Sequence, residues 1–363
     1  MHLYRPVIVC LLLLGPMHLF AQAAAPSTPI DAADRKAIIK SLGEQLKANY
    51  VFPDIAEKAA KTLSANAASG AYDGTKTTKA FAVALTKDLQ SVSKDLHFRV
   101  DYDPTFKAEP DDNKPATKEE LDEERQVAEH MGFGIAKVER LPGNVGYLDV
   151  RGFLPADFVT VAYGAAMNLL SGTDAMILDL RQNDGGDPSA VAALLSYFFA
   201  AGDSRHLNDL YWRSGNRTQE FWTMPVAGAR YAKPVYVLTS PDTFSGGEEC
   251  AYDFQTQKRG ILVGQTTGGG ANPGAGFSVG HNFVVFIPTG RAINPITKTN
   301  WEHVGVKPDV AVPAADALKT AYATILKTLV PKTKDPDQLS ELKSTLASIE
   351  KGEDEKPDYT PQR

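Results

Sequence analysis

The sequence predicts an α/β domain with a largely parallel sheet, preceded by a small helical domain. Two observations carry this reading. From residue 134 onward, short apolar runs that read as buried strands alternate with stretches of helical period. Between residues 30 and 95, apolar residues recur at helix-face spacing instead. The length agrees, because 363 residues allow two or three domains and a sizeable core. At 43% hydrophobic and 23% charged, the composition excludes a collagen-like or wholly disordered chain. A net charge of −6 argues against a nucleic-acid binder.

Residues 1–23 read as a secretory signal. Arg5 supplies the positive start, Val7–Leu14 the apolar segment and Ala21-Gln22-Ala23 the cleavage site. The apolar run is shorter than the roughly 20 residues a membrane span needs, and Gly15-Pro16 interrupts it. Export to a periplasm or the outside is therefore expected, with no integral membrane span. Cleavage would remove Cys10 and leave Cys250 alone, so no intramolecular disulfide could form.

Residues 24–100 should form the helical domain, of about three helices. Ile38, Ile39, Leu42 and Leu46 lie at helix-face intervals, as do Phe81, Val83, Leu85 and Leu89. Asn49–Pro53 and Gly70–Gly74 break the pattern. Residues 101–133 read as a polar linker or a lid, with three prolines followed by a charged run from Lys118 to Arg125. Residues 134–328 form the α/β domain. Its expected strands lie at 146–150, 175–180, 235–239 and 261–264, and its helices at 159–171, 188–201, 245–258 and 315–329. Residues 329–363 read as a charged tail with one helical stretch, Leu339 to Ile349, and disorder from Lys351 onward.

Three turns in the α/β domain could carry chemistry. The first, Asp179–Gly186, follows a buried strand, and its two glycines permit close approach of backbone N–H groups to a ligand. An ordinary strand-to-helix turn is the bland reading. The second, Thr239–Glu249, joins a strand to a helix, so Ser245 could project its hydroxyl from the sheet edge with the Gly246 N–H beside it. Ser245 could equally be a helix N-cap, with Glu248 as its capping-box partner. The third, Gly264–Gly270, lacks the lysine of a phosphate-binding loop, because Gly270 stands where it is required. A flexible loop beside a substrate cleft, formed by Gly268, Gly269 and Gly270, is expected there.

A serine nucleophile needs a base. Five histidines survive cleavage: His97, His130, His206, His281 and His303. No H-E-x-x-H or paired C-x-x-C spacing occurs, so neither a metal site nor a cofactor is expected.

Taken together, six segments resemble the tail-specific (C-terminal processing) serine protease family, which includes tricorn-like proteases and the repeats of interphotoreceptor retinoid-binding protein. They are Asp95-Leu96-His97, Asn144–Leu148, Asp179–Gly186, Thr243–Glu249, Gly264–Pro273 and Trp301–Val310, in the family's order. The resemblance implies a crotonase-like (ClpP/crotonase) catalytic domain of β-β-α units behind an amino-terminal helical domain. It implies Ser245 as nucleophile and, as oxyanion donors, the N–H groups of Gly246 and of Gly185 or Gly186. A peptide or an unfolded protein would be the substrate.

Two departures shape the expectation. The Ser–Lys branch has a lysine near Gly268-Gly269-Gly270, and this chain has none. The tricorn-like branch uses a histidine base and a glutamate, for which His97 and Glu302 are the matching candidates; Glu248 and Glu249 compete for the glutamate role, and His281 or His303 for the base. Only 48 residues separate His97 from Gly146, too few for a PDZ module. The competing reading is a non-catalytic binder of apolar ligands or peptides, as the retinoid-binding repeats are, with Ser245 as a cap alone.

Overall fold

The computed structural model describes residues 27–106 and 117–352. The expected export signal and the end of the tail lie outside these residues. In chain order the elements are α1 (Ala32–Asn49), α2 (Pro53–Ala68), α3 (Thr78–Ser93), β1 (Arg99–Tyr102), α4 (Lys118–His130), β2 (Ile135–Leu141), β3 (Val145–Val150), α5 (Ala156–Leu170), β4 (Ala175–Asp179), α6 (Pro188–Ser196), β5 (His206–Trp212), β6 (Arg217–Trp222), β7 (Val235–Thr239), α7 (Ser245–Thr256), β8 (Ile261–Gly264), β9 (Gly274–Gly280), β10 (Phe283–Pro288), β11 (Gly290–Ile293), β12 (Val310–Ala311), α8 (Ala314–Leu329) and α9 (Pro336–Lys351).

These elements fall into two compact units, neither contiguous in sequence. Of the described residues, the first holds those up to Thr117 with Asp209–Gln219 and Gly270–Ile293; the second holds Lys118–Asn208, Glu220–Gly269 and those from Asn294 to 352.

In the first unit, α1 to α3 form where the helical spacing predicted them. Asp31 caps α1 by accepting from the Asp34 N–H, Pro53 opens α2, and Thr77 caps α3. Their apolar faces do not close on one another alone. Phe81, Leu85 and Leu89 join a core with Val279, Phe283, Val285 and Ile287 of β9 and β10. β10 lies between β1 and β9, antiparallel to both, with Arg99 opposite Phe286. The helical domain expected over residues 24–100 thus takes part of its core from strands nearly 200 residues further on. Phe283–Pro288 is a plain apolar run, but its partner is too distant in sequence for periodicity to name.

In the second unit, six strands lie in the order β12-β8-β7-β4-β3-β2, with every pairing parallel except that of β2 with β3. The four strands predicted in this domain are β3, β4, β7 and β8. Val145, Tyr147, Ile177, Leu238 and Val263 pack on one face against Ala317, Ala321, Ile325 and Leu326 of α8. Alternate residues such as Met176, Leu178, Val237 and Leu262 are fully buried towards the opposite face.

Two expectations change here. The segment after 329 is not merely a charged tail, because α9 buries Leu342 and Ile349 in this core. Glu341 of α9 also accepts the Gly143 N–H at 2.8 Å. The charges that suggested a solvated tail sit on the outer side of an amphipathic helix. In the linker-or-lid segment, residues 107–116 are outside the described residues, and α4 follows with Ala128 as its one buried residue.

Candidate active site

Parallel neighbours β4, β7 and β8 end side by side, and each is followed by one of the three turns singled out in the sequence. Ligands of open α/β sheets collect at such carboxyl ends. The second unit therefore gathers Asp179–Asp187, Ser240–Gly246 and Gln265–Gly269 at one edge.

Hydrogen bonds tie the first two turns together. Thr243 Oγ1 donates to the Leu180 carbonyl at 2.7 Å, and the Phe244 N–H to the Asn183 carbonyl at 2.9 Å. Asn183 Nδ2 in turn donates to the Val150 carbonyl, and its Oδ1 accepts the Gly185 N–H at 2.9 Å. The backbone then turns sharply. Phe244 is extended (φ −135°), whereas Ser245 has φ 61°. A left-handed serine costs about 1–3 kcal/mol and persists only where its surroundings enforce it. Strain of this kind lifts a nucleophile out of a strand-to-helix elbow.

Ser245 does not act as the helix cap. The Glu248 N–H, which a capping hydroxyl would take, donates to the Phe244 carbonyl, and Phe244 occupies the cap position. Only the reciprocal half of the capping box forms, with Glu248 Oε2 accepting the Ser245 N–H at 3.1 Å.

Gly185 and Gly186 have φ 104° and 135°, and both are packed against backbone. A Cβ on Gly185 would lie 2.7 Å from Ser245 Cβ, and one on Gly186 would lie 2.0 Å from the Phe153 carbonyl oxygen. Among the described residues, the N–H groups of Gly186 and Gly246 donate to no protein acceptor, whereas that of Gly185 is held by Asn183. A Cβ on Gly246 would meet Gly186 N at 2.9 Å, so these two amides are close neighbours. Gly186→Ala is expected to destabilise the fold by about 2–4 kcal/mol, because a side chain there collides with backbone and the φ disfavours it. Urea unfolding of the variant measures this; an unchanged midpoint would contradict the packing described.

Glu248 joins the second turn to the third. It is fully buried, and besides the Ser245 amide it accepts the Gly269 N–H at 2.6 Å and the Thr267 hydroxyl. Gly268 N–H donates to the Thr243 carbonyl at 3.0 Å. The Gly269 carbonyl accepts the His303 N–H at 2.9 Å, which docks the Trp301–Gly305 turn. In that turn Asn300 accepts the Glu302 N–H, and the Glu302 carboxylate lies 3.2 Å from His303 Nε2. His303 is about half exposed, while Glu302 is nearly covered. Glu249, the other competing glutamate, points into the interior and is buried. Cys250 is buried, and burial pushes its thiol well above the usual range, as befits a packing residue rather than a nucleophile. Asp184, in the first turn, is also raised, by burial and then by Asp242.

His97 and Gly270 belong to the first unit. There α3 ends at Lys94 in a left-handed cap (φ 63°), and the chain turns through Asp95 into β1. Asp95 is fully buried. Its carboxylate accepts the His97 N–H at 3.1 Å, Asn272 Nδ2 at 2.9 Å and the Tyr50 hydroxyl at 3.3 Å, and lies 3.6 Å from His97 Nδ1. The imidazole is stacked beside Phe286 at 6.2 Å. The sequence reading assigns Asp95 no role beyond its place in the Asp95-Leu96-His97 motif. The D-x-H spacing is the signal that points to it, since a carboxylate two residues before a strand-entry histidine can hold the same turn. His281, in the same unit, pairs with Asp34 at an exposed position.

Comparison with known proteins follows the two-part layout of the chain. Residues 144–312 match the family described as peptidase family S41. Residues 32–133 match the N-terminal domain of that family as found in eukaryotic IRBP. Among solved structures, a protein from Parabacteroides merdae ATCC 43184 described as a candidate peptidase is similar, at 17% identity and TM-score 0.55, covering 83% of this chain and 99% of that one. A lipoprotein from Streptococcus agalactiae is similar at 14% identity and TM-score 0.52, covering 84% and 97%. At such identities the likeness is one of fold.

Proposed function

The chain belongs to peptidase family S41 and is a serine peptidase with a crotonase-like α/β fold, and we propose that Ser245 is its nucleophile, working with His97 as base and Glu302 as the acid that orients it. The observation that carries this reading is the left-handed Ser245 at the β7–α7 elbow beside two undonated amides.

Ser245 Oγ attacks the peptide carbonyl and His97 takes its proton, later returning it to the leaving amine. The oxyanion falls to the N–H groups of Gly246 and Gly186; Gly185 serves as the turn that presents Gly186, since Asn183 already holds its amide. Removing one donor of this kind typically costs about 2.7–4 kcal/mol of transition-state stabilisation. Gly268, Gly269 and Gly270 border the substrate. Asp95 fixes the turn that carries His97.

One contact favours a second assignment of the base, the 3.2 Å approach of His303 Nε2 to the Glu302 carboxylate. The two assignments differ in which histidine is indispensable.

Glu248 braces the elbow through three hydrogen bonds to one buried carboxylate. Glu248→Gln keeps the shape but loses charge-assisted acceptance, and turns one oxygen into a donor facing N–H groups. A fall of about 10²-fold in kcat with little change in KM is expected, measured on a quenched peptide; a KM effect alone would place Glu248 outside the mechanism.

The substrates are peptides, and we place the enzyme outside the cytoplasm because residues 1–23 read as an export signal. No helix among the described residues is long and apolar enough to cross a membrane. The test of the whole reading is hydrolysis of a panel of unstructured peptides by purified protein. Cleavage at defined bonds supports it. Saturable binding of an apolar ligand without turnover would instead support the retinoid-binding-like role.

A further inference from the structure

Helix α7 carries two acidic side chains that face away from its catalytic end. Glu249 and Asp253 are 4% and 0% exposed and stand at i and i+4, so they share one face. Among the described residues, no basic side chain acts on either. What surrounds them is amide and acid. Asn294 Nδ2 donates to Asp253 Oδ1 at 3.3 Å. The Asn208 amide faces Glu249, and Asp187, the cap of α6, faces it from the loop after β4. Cys250 lies between the two acids on α7, and Tyr163 of α5 sits near Cys250 and Asp187.

Glu249 Oε1, Asp253 Oδ2, Asn208 Nδ2 and Asn208 Oδ1 are all buried without a hydrogen-bond partner among the described residues. Ionised carboxylates only accept, so two of them cannot satisfy each other. A proton turns one carboxyl into a donor, and so supplies the kind of partner that these buried acceptors lack.

We propose that Glu249 and Asp253 form a buried protonated carboxyl pair, hydrogen-bonded with Asn208, and that losing this proton loosens α7 and the elbow it begins. The pair is thus a pH-sensitive lock beneath Ser245. Burial pushes Glu249 up to about 8, with Asn208 opposing and Asp187 adding, and burial with Glu249 pushes Asp253 well above the carboxylate range. Both folded values lie above the unfolded ones. The stabilisation is therefore complete below the ordinary carboxylate range near pH 4.5 and is lost as pH rises through about 8. The two acids titrate as a unit.

The stability arm of the test is independent of the proposed mechanism, and the activity arm rests on Ser245 being the nucleophile. Thermal unfolding of the full chain is followed between pH 5 and pH 9 for wild type, Glu249→Gln and Asp253→Asn. The wild-type midpoint should fall by roughly 5 °C or more relative to Glu249→Gln across that range. Peptide hydrolysis at pH 9 should fall in wild type and persist in the variant. The infrared spectrum of wild type at pH 7 should contain a protonated-carboxyl band that both variants diminish, a readout that survives poor folding of either variant. Parallel pH profiles, or absence of that band, would overturn the proposal. So would rescue of wild type at pH 9 by calcium or magnesium chloride but not by sodium chloride of equal ionic strength, because a cation would then occupy the pair. If peptide hydrolysis is absent at every pH while the midpoint shift holds, the fault lies in the reading of Ser245 and not in the carboxyl pair.

Discussion

Ser245→Ala is expected to lower kcat by at least about 10⁴-fold while leaving the fold intact. Ser245 is held at φ 61° by its own amide bond to Glu248 and by the Phe244 bond to Asn183. Neither of these bonds uses the hydroxyl, so alanine removes the proposed attacking oxygen and leaves both in place. Gly186 and Gly246 would still present their amides, which leaves a residual rate from oxyanion stabilisation and binding. A merely capping serine behaves differently. Losing a cap costs about 1 kcal/mol of stability with no special effect on rate. Peptide turnover and urea unfolding of the same variant separate the two: a large kinetic loss with an unchanged midpoint identifies the nucleophile, and equal rates identify a structural residue.

His97→Ala should have the second largest effect, a loss of about 10³-fold or more. A serine hydroxyl is a weak nucleophile without a base, and His97 is the histidine whose turn is held by a fully buried carboxylate, Asp95. Asp95 in turn is fixed by Asn272 and Tyr50. His303→Ala is the control, since that ring is half exposed and touches Glu302. The large kinetic loss should follow His97→Ala and be absent in His303→Ala. If the opposite holds, His303 with Glu302 is the base pair, and His97 is a structural residue of β1's entry.

Much of this is legible in the sequence. The strands β3, β4, β7 and β8 are apolar runs bounded by turn residues, and that is a local signal. The three turns following β4, β7 and β8 stand out by their glycines and serine, and the parallel order of those strands is what brings them to one edge. What sequence did not show are relations between distant segments. The β9–β10 strands cover α1–α3, and α9 packs on the α8 face. Neither pairing leaves a periodic trace, because each depends on apolar surfaces meeting across the fold. The roles within Ser245–Glu249 were also undecidable from spacing. Glu248 and Glu249 are adjacent, yet helical geometry turns one towards the elbow and the other into the interior. The same holds for Gly185 and Gly186, which differ only in that Asn183 has taken one amide.

The most direct measurement is covalent trapping of the nucleophile. Wild-type protein is treated with a biotinylated fluorophosphonate, digested, and the modified residue mapped by mass spectrometry. A single stoichiometric adduct on Ser245 is expected, slowed when His97 is replaced by alanine. An adduct on another residue, or none under conditions where peptides are cleaved, would contradict it.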